Sequence, residues 1–197
     1  MIKRKFGRTH WDVSEIGYGM WGMGGWTESD DLLSAKSLDL AVENGVNFFD
    51  TAWAYGHGHS EKLLGDLLRR FPNKKLFTAS KIPAKNFKWP AIPEYSLEES
   101  YPPSHIVEYT EKTLINLRTE QLDLMQFHTW DDSWSDREEW QRAVEDLKKS
   151  GKVAAMGISV NRWEPENGIK AIKTGAFDAV QVIYNIFDQA PEDVLFP

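Results

Sequence analysis

The sequence predicts an α/β fold, a (β/α)8 TIM barrel of which six strand–helix units are present. Short apolar runs typical of buried strands alternate with helical patterns, at intervals of about 30 residues along the 197-residue chain. A polar residue directly follows each of four runs: Asp50, Lys81, His128 and Ser159. Because the carboxyl ends of all barrel strands meet at one mouth, these four side chains are expected to lie close together.

The alternative architecture is an open, doubly wound sheet that binds a nucleotide at a glycine-rich turn after its first strand. Residues 19–24 read G-x-x-G-x-G and not G-x-G-x-x-G, and the acid expected about 20 residues later is missing. The barrel is therefore favoured. A complete barrel usually has about 250 residues, so we expect one incomplete barrel domain over residues 1–197, with its C-terminal units missing.

Each predicted element follows from a local pattern. An N-terminal β-hairpin is expected around the turn Gly7-Arg8-Thr9-His10. Ser29 or Asp30 is placed to cap the first helix, which Gly45 follows. A second helix begins near Ser60, where leucines recur at helical spacing. The six strands are expected at residues 16–20, 46–49, 76–80, 122–127, 153–158 and 179–183.

A long loop is predicted in the middle of the chain. Residues 83–103 hold five of the nine prolines, which excludes a helix interior or a central strand there. A structureless loop of this length is either a functional lid or a sign that elements are misassigned, and the regular elements around it favour the lid. Beyond it, Ser104 is placed to cap a helix, Asp136 with Glu139 resembles a capping box, and Pro165 can open a short helix.

Composition excludes several classes of function. The formal net charge is −7 and the pI about 5.3, and no Lys/Arg-rich run occurs, which disfavours binding to nucleic acid or an anionic membrane. The chain has no cysteine, hence no disulfide and no thiolate ligand or nucleophile. It also lacks an apolar signal core and a run of about 18 apolar residues, so a cytoplasmic location is expected.

Tryptophan is abundant, with nine residues. Seven of them lie shortly after strand-like runs: Trp21, Trp26, Trp53, Trp89, Trp130, Trp134 and Trp163. They are either aromatics packed on separate loops or the walls of one pocket fed by several loops. Their shared position favours the pocket, and Trp21, Trp53 and Trp130 are its predicted walls.

The residues expected at the barrel mouth suit proton transfer to an oxygen. Tyrosine has a pKa near 10, and a neighbouring ammonium stabilises the phenolate and lowers that pKa. Lys81 is placed to supply this ammonium for Tyr55, Asp50 to hold Lys81, and His128 to donate a hydrogen bond to a substrate oxygen. Such a set fits reduction of a carbonyl by an external hydride donor.

A metal site is not expected. His57 and His59 stand two residues apart in a glycine-rich turn without a clear third ligand. The same turn lacks the Lys-Ser/Thr ending of a phosphate-binding P-loop, so Gly56 and Gly58 are interpreted as a tight turn.

The segment from residue 50 to residue 65 resembles the signature of the aldo-keto reductases. It reads Asp50-Thr51-Ala52-x-x-Tyr55-Gly56-x-Gly58-x-Ser60-Glu61-x-x-Leu64-Gly65, and Lys81 and His128 follow in the family's order and spacing. The resemblance implies a (β/α)8 barrel that reduces aldehydes or ketones, usually with NADPH and otherwise with NADH. It implies Tyr55 as general acid, Lys81 and Asp50 as its tuning pair, and His128 as substrate orienter.

Four further positions match family residues that contact the cofactor. Ser159 and Gln181 match those that hold the nicotinamide carboxamide, and Met20 and Trp21 match a first-strand segment that touches the cofactor. The resemblance also implies that Asp50 lies next to the cofactor. The family often has asparagine directly after this serine, whereas Val160 here separates Ser159 from Asn161. The role of Asn161 is therefore left open.

Two other functions are compatible with these residues. One is a regulatory subunit that binds NADPH and a protein partner, as the potassium-channel β subunits of the same family do. The other is a non-redox barrel enzyme with Asp50 and Lys81 as an acid–base pair. The favoured function is the NADPH-dependent reductase with a small-molecule carbonyl substrate. The 197-residue chain alone is expected to be inactive, since six strands do not close an eight-stranded barrel.

Overall fold

The computed structural model describes residues 1–26, 28–161 and 163–196. It begins with an antiparallel hairpin, confirming that prediction, of β1 (Lys3–Phe6) and β2 (Trp11–Ser14). Six parallel strands follow in one curled sheet, in which each strand pairs with the next along the chain. They are β3 (Tyr18–Gly19), β4 (Phe48–Asp50), β5 (Phe77–Ile82), β6 (Leu122–Phe127), β7 (Val153–Ser159) and β8 (Ala179–Gln181). The parallel α/β architecture is thus as predicted, while closure into eight units stays a prediction.

Helices connect the strands. They are α1 (Asp31–Glu43), α2 (His59–Arg70), α3 (Leu97–Ser100), α4 (Pro103–Leu117), α5 (Glu138–Lys149), α6 (Ile169–Lys173) and α7 (Pro191–Val194). The longer ones bury apolar side chains such as Leu64, Leu114 and Val144 in the main core, between helices and sheet. None of the described helices is long and apolar enough to cross a membrane.

The predicted caps are confirmed in part. Asp30 caps α1, since its Oδ1 accepts hydrogen bonds from the backbone N–H groups of Leu32 and Leu33 at 2.7 and 3.1 Å. The predicted cap Ser104 is wrong, because α4 already begins at Pro103. The expected capping box before α5 is also wrong, since the Glu139 carboxylate binds Arg137 instead.

Two loop predictions need correction. Residues 83–103 are not without regular structure, because Ser96 and Glu99 form a capping box that starts α3. The short helix expected from Pro165 begins only at Ile169. Residues 83–84 and 87–89 of the long loop lie near Tyr55 and His128, at the predicted mouth.

The hairpin covers the other end of the sheet. Phe6 lies 5.4 Å from Phe48, and Trp11 lies 5.2 Å from Phe77, between ring centroids. Since Phe48 and Phe77 begin their strands, the hairpin lies at the amino ends. Arg8 also donates to Asp178 Oδ1, just before β8, at 2.8 Å. The amino ends of the strands are thereby covered, and the carboxyl ends are left for ligands.

Candidate active site

Asp50 and Lys81 form a buried ion pair at the carboxyl ends of two neighbouring strands. Asp50 lies opposite Ala79 in the register of β4 and β5, and Lys81 follows on the same face because side chains alternate along a strand. The Lys81 Nζ donates to Asp50 Oδ2 at 2.7 Å and to the Thr51 carbonyl at 2.8 Å. Burial lowers the pKa of Lys81, and the Asp50 charge opposes that effect.

Tyr55 reaches this pair from the turn between β4 and α2. Gly56 and Gly58 have φ values of +68° and +88°, in the left-handed region that glycine tolerates, which confirms the tight turn. Gly56 also passes close to residue 24, where an added Cβ would lie 2.4 Å from the Gly24 carbonyl oxygen. The Lys81 Nζ lies 5.3 Å from the centroid of the Tyr55 ring.

The pKa of Tyr55 moves in the direction opposite to the one expected. Burial, followed by the negative charge of Asp50, raises the pKa of Tyr55 to about 12. The expected lowering is wrong because burial of the phenol and the charge of Asp50 dominate the pKa of Tyr55. The hydroxyl group therefore keeps its proton at neutral pH, as a proton donor must.

His128 completes the cluster from the end of β6. Its ring centroid lies 5.8 Å from that of Tyr55, in an edge-on arrangement. Burial, together with the charge of Lys81, lowers the pKa of His128 to about 4. The imidazole is thus neutral at neutral pH and has one N–H to donate. The structure brings all four predicted catalytic residues together.

A pocket of about 500 Å³ opens beside Tyr55 and His128. Four aromatic side chains line it: Trp21, Trp26, Phe87 and Trp89. Trp26 meets the Tyr55 ring edge-on at 5.9 Å. Of these four, the sequence predicts only Trp21 as a pocket wall. Trp26 and Trp89 could have been found from their positions after strand-like runs. No sequence pattern points to Phe87.

The assignment of Trp53 and Trp130 as walls needs correction, since neither is among the described residues that line this pocket. Trp53 turns outward and packs on Tyr109 of α4, at 4.7 Å between centroids. Trp130 is 1% exposed and packs edge-on against Trp140 of α5 at 5.2 Å. Both therefore stabilise the layer between sheet and helices.

The predicted cofactor residues divide into two groups. Ser159 and Gln181 are opposite each other in the register of β7 and β8, and Trp21 is exposed at the pocket. Met20 is fully buried in the core, so it has no exposed surface to offer a ligand. Asn161 is nearly buried and its Oδ1 accepts the backbone N–H groups of Trp163 and Glu164, which stabilises the turn after β7.

One side-chain polar atom of Gln181 has no hydrogen-bond partner among the described residues. Its Nε2 donates to Asp50 Oδ2 at 3.1 Å, which fixes the orientation of the amide because a carboxylate only accepts. Its Oε1 is buried and has no hydrogen-bond partner among the described residues. This oxygen is suited to accept an N–H from a ligand.

The two histidines of the glycine-rich turn have other partners. His59 Nε2 lies 2.9 Å from Asp31 Oδ1, and His57 packs edge-on against Trp53. Within residues 1–26, 28–161 and 163–196, no group of three or more potential metal ligands occurs.

Comparison with known proteins points to one family. The aldo/keto reductase family model matches residues 15–197. The Bacillus subtilis aldo-keto reductase YhdN is 29% identical over 188 residues, which is 94% of this chain and 54% of that protein. The Escherichia coli NADH-specific methylglyoxal reductase is 26% identical over 210 residues, covering 100% of this chain and 63% of its own length.

A solved structure supports the same relationship. The holo form of an aldo-keto reductase from Bacillus halodurans superposes with a TM-score of 0.79 at 27% identity, covering 98% of this chain and 61% of that one. The chain therefore spans less than two thirds of the length of the relatives that it matches here.

Proposed function

The chain belongs to the aldo/keto reductase family, and on that premise we propose that its site reduces an aldehyde or ketone to an alcohol, with Tyr55 as the proton donor. The observation that carries this proposal is the cluster of Tyr55, Lys81, Asp50 and His128 beside an aromatic pocket. A protonated phenol and a neutral imidazole face the same space. That combination is suited to an oxygen that gains negative charge.

Each residue has a defined task in this reaction. The His128 N–H and the Tyr55 hydroxyl orient the carbonyl oxygen, and the Tyr55 proton moves to that oxygen as negative charge develops on it. The Lys81 ammonium, 5.3 Å from the ring centroid, stabilises the phenolate that remains. Asp50 holds Lys81 in place at 2.7 Å.

A nicotinamide cofactor, when bound, would supply the hydride to the carbonyl carbon. The fit of this chain to that group rests on Gln181, whose buried Oε1 lacks a protein partner among the described residues and is suited to accept the carboxamide N–H. We propose Ser159, opposite Gln181 in the sheet, as a second contact, and Trp21 and Asp50 as neighbours of the ring. NADPH is the proposed hydride donor. NADH is the alternative, because the Escherichia coli relative is named an NADH-specific methylglyoxal reductase.

The test is transfer of a label. A version of the protein that carries all eight barrel units is used here and for every kinetic measurement below, because the 197-residue chain alone is expected to be inactive. It is incubated with NADPH or NADH deuterated at C4 of the nicotinamide and a panel of aldehydes and ketones, and the products are analysed by mass spectrometry. Deuterium at the alcohol carbon is expected. Saturable cofactor binding without transfer to any carbonyl would contradict the proposal and favour the regulatory subunit. The absence of both would favour the non-redox enzyme.

A further inference from the structure

Two fully buried polar residues of the signature segment, Ser60 and Glu61, have no task in the proposed chemistry. They lie in the first turn of α2. The Glu61 carboxyl group accepts hydrogen bonds from Ser80 Oγ, Thr113 Oγ1 and Asn116 Nδ2 at 2.6, 2.7 and 2.7 Å. Burial raises the pKa of Glu61, and the three hydrogen bonds oppose that rise. Since a buried acid is costly without such partners, its placement here calls for an explanation.

One of these bonds leads directly to the active site. Ser80 precedes Lys81 in β5, and consecutive side chains of a strand point to opposite faces of the sheet. Glu61 therefore holds the strand from its outer face, at the position next to the one that sends Lys81 to the inner face. The bond to Thr113 leads away from the site, to α4.

Ser60 holds the neighbouring strand in the same way. Its Oγ accepts a hydrogen bond from Thr51 Oγ1 at 2.8 Å and donates one to the Met20 carbonyl at 3.1 Å. The Thr51 carbonyl is itself an acceptor for Lys81 Nζ. The start of α2 thus binds both strands whose side chains form the Asp50–Lys81 pair.

We propose that Glu61 is a positioning residue that keeps Lys81 against Asp50 through its hydrogen bond to Ser80. The kinetic part of this inference rests on the proposed function, whereas the geometric part does not. The chain offers a matched pair of variants. Ser80→Ala and Thr113→Val each remove one hydroxyl donor to the same Glu61 oxygen from a fully buried side chain.

The kinetic result expected is an asymmetry between the two variants. Ser80→Ala lowers kcat for carbonyl reduction roughly 10- to 100-fold, because displacement of a catalytic group by about 1 Å costs that much, and leaves KM nearly unchanged. Thr113→Val loses a similar amount of thermal stability and keeps kcat within about twofold. Ser80→Thr, which retains the hydroxyl group, restores kcat.

A second readout does not depend on activity. The ¹⁵N resonance of Lys81 Nζ, assigned by its loss in Lys81→Met, reports the pKa of this amine. The titratable groups that face it are Asp50, Tyr55 and His128. Because Asp50 raises the pKa of Lys81, loosening their contact lowers it further. Ser80→Ala is expected to lower this pKa, and Thr113→Val is expected to leave it unchanged.

The outcomes separate the two claims. If no variant reduces a carbonyl but the Lys81 resonance changes only in Ser80→Ala, Glu61 positions Lys81 and the proposed function is wrong. Equal effects of Ser80→Ala and Thr113→Val on Lys81, or no effect of either, would overturn the inference. Ser80→Cys, with a weaker donor, replaces Ser80→Ala in the same comparison if the alanine variant does not fold.

Discussion

The polar side chains on the rim of the sheet are held very differently at β5 and at β8. Lys81 of β5 is 2% exposed, lies in an inner strand and is bound by Asp50 and the Thr51 carbonyl. Gln181 ends an edge strand of three residues, and of its side-chain polar atoms only Nε2 has a partner among the described residues, Asp50. The proposed proton-handling end is therefore organised by the protein alone, whereas the proposed carboxamide end has one side-chain oxygen, Gln181 Oε1, without a partner among the described residues.

The largest effect is expected when the buried ammonium group of Lys81 is removed. Lys81→Met is expected to lower carbonyl reduction by more than about 100-fold, since the Tyr55 phenolate loses its ammonium neighbour. Because that loss raises the pKa of Tyr55 further, the pH optimum for alcohol oxidation moves upward. Unfolding measurements are expected to show a loss of about 3–5 kcal/mol, the usual cost of removing one partner of a buried ion pair.

The matched control for Lys81→Met is a surface ion pair. Lys75 Nζ lies 3.2 Å from Asp123, with 70% of the lysine side chain exposed. Lys75→Met is expected to cost about 1 kcal/mol or less and to leave turnover unchanged. Equal losses of activity in Lys75→Met and Lys81→Met would contradict a special role for the inner pair.

Two tryptophans extend the comparison from charges to packing. Trp130→Ala is expected to destabilise the fold by about 3–5 kcal/mol, because a fully buried ring is lost, while the folded fraction keeps its KM. Trp89→Ala, which removes a 60% exposed pocket wall, is expected to raise KM about 10-fold with little change in Tm. Thermal melts and steady-state kinetics on both variants check this. A KM that rises in Trp130→Ala but not in Trp89→Ala would mean that Trp130 is a wall of the substrate pocket.

The low pKa of His128 predicts a loss of stability in acid. Its pKa is about 4 in the folded state and 6.5 in the unfolded state, so between these values the unfolded chain binds more protons. The contribution of neutral His128 to the free energy of unfolding is fully present above pH 6.5 and declines as the pH falls towards 4. The decline is roughly 2 kcal/mol between pH 7 and 5.

Denaturant unfolding at pH 7 and pH 5 measures the contribution of His128. His128→Gln is expected to remove that share of the pH dependence, whereas His10→Asn, at an exposed turn position, keeps it. Identical pH dependence in the parent chain and His128→Gln would mean that His128 is not held neutral by burial.

The smallest effect is expected at β8. Gln181→Leu is expected to weaken cofactor binding about 5- to 10-fold, the usual worth of one hydrogen bond, and to leave the Asp50–Lys81 pair in place. Fluorescence titration with NADPH measures the Kd, and Gln121→Leu, which loses a hydrogen bond between Gln121 and the Gly151 carbonyl, is the control. A loss of turnover without a change in Kd would move Gln181 from the cofactor to the proton-handling end.

Much of the fold was predictable because strands, helices and the polar residues at strand ends are local signals. Asp50, Lys81 and His128 end apolar runs, and parallel strands bring such positions to one rim. The capping box of Ser96 and Glu99 also predicts a helix start, but the five prolines around it favoured an irregular loop.

The unpredicted features depend on how loops turn after a strand ends. Trp53 and Trp130 follow strands just as Trp21 does, yet their turns aim them at α4 and α5, and only packing decides that direction. The predicted lowering of the pKa of Tyr55 is wrong for a related reason. The sequence places Lys81 near the phenol, but it does not show that burial and the charge of Asp50 dominate the pKa of Tyr55.

Tyr55→Phe removes the hydroxyl group that is proposed to deliver the proton. The control is Tyr18→Phe on β3. It removes a partly exposed hydroxyl group that is hydrogen-bonded to Ser37 Oγ at 2.7 Å. Carbonyl-dependent oxidation of NADPH and the Kd for NADPH are measured on both variants. Tyr55→Phe is expected to lower turnover by at least about 100-fold with a nearly unchanged Kd, and Tyr18→Phe is expected to keep both at the values of the parent protein. Turnover in Tyr55→Phe within a few-fold of the parent protein would contradict Tyr55 as the proton donor.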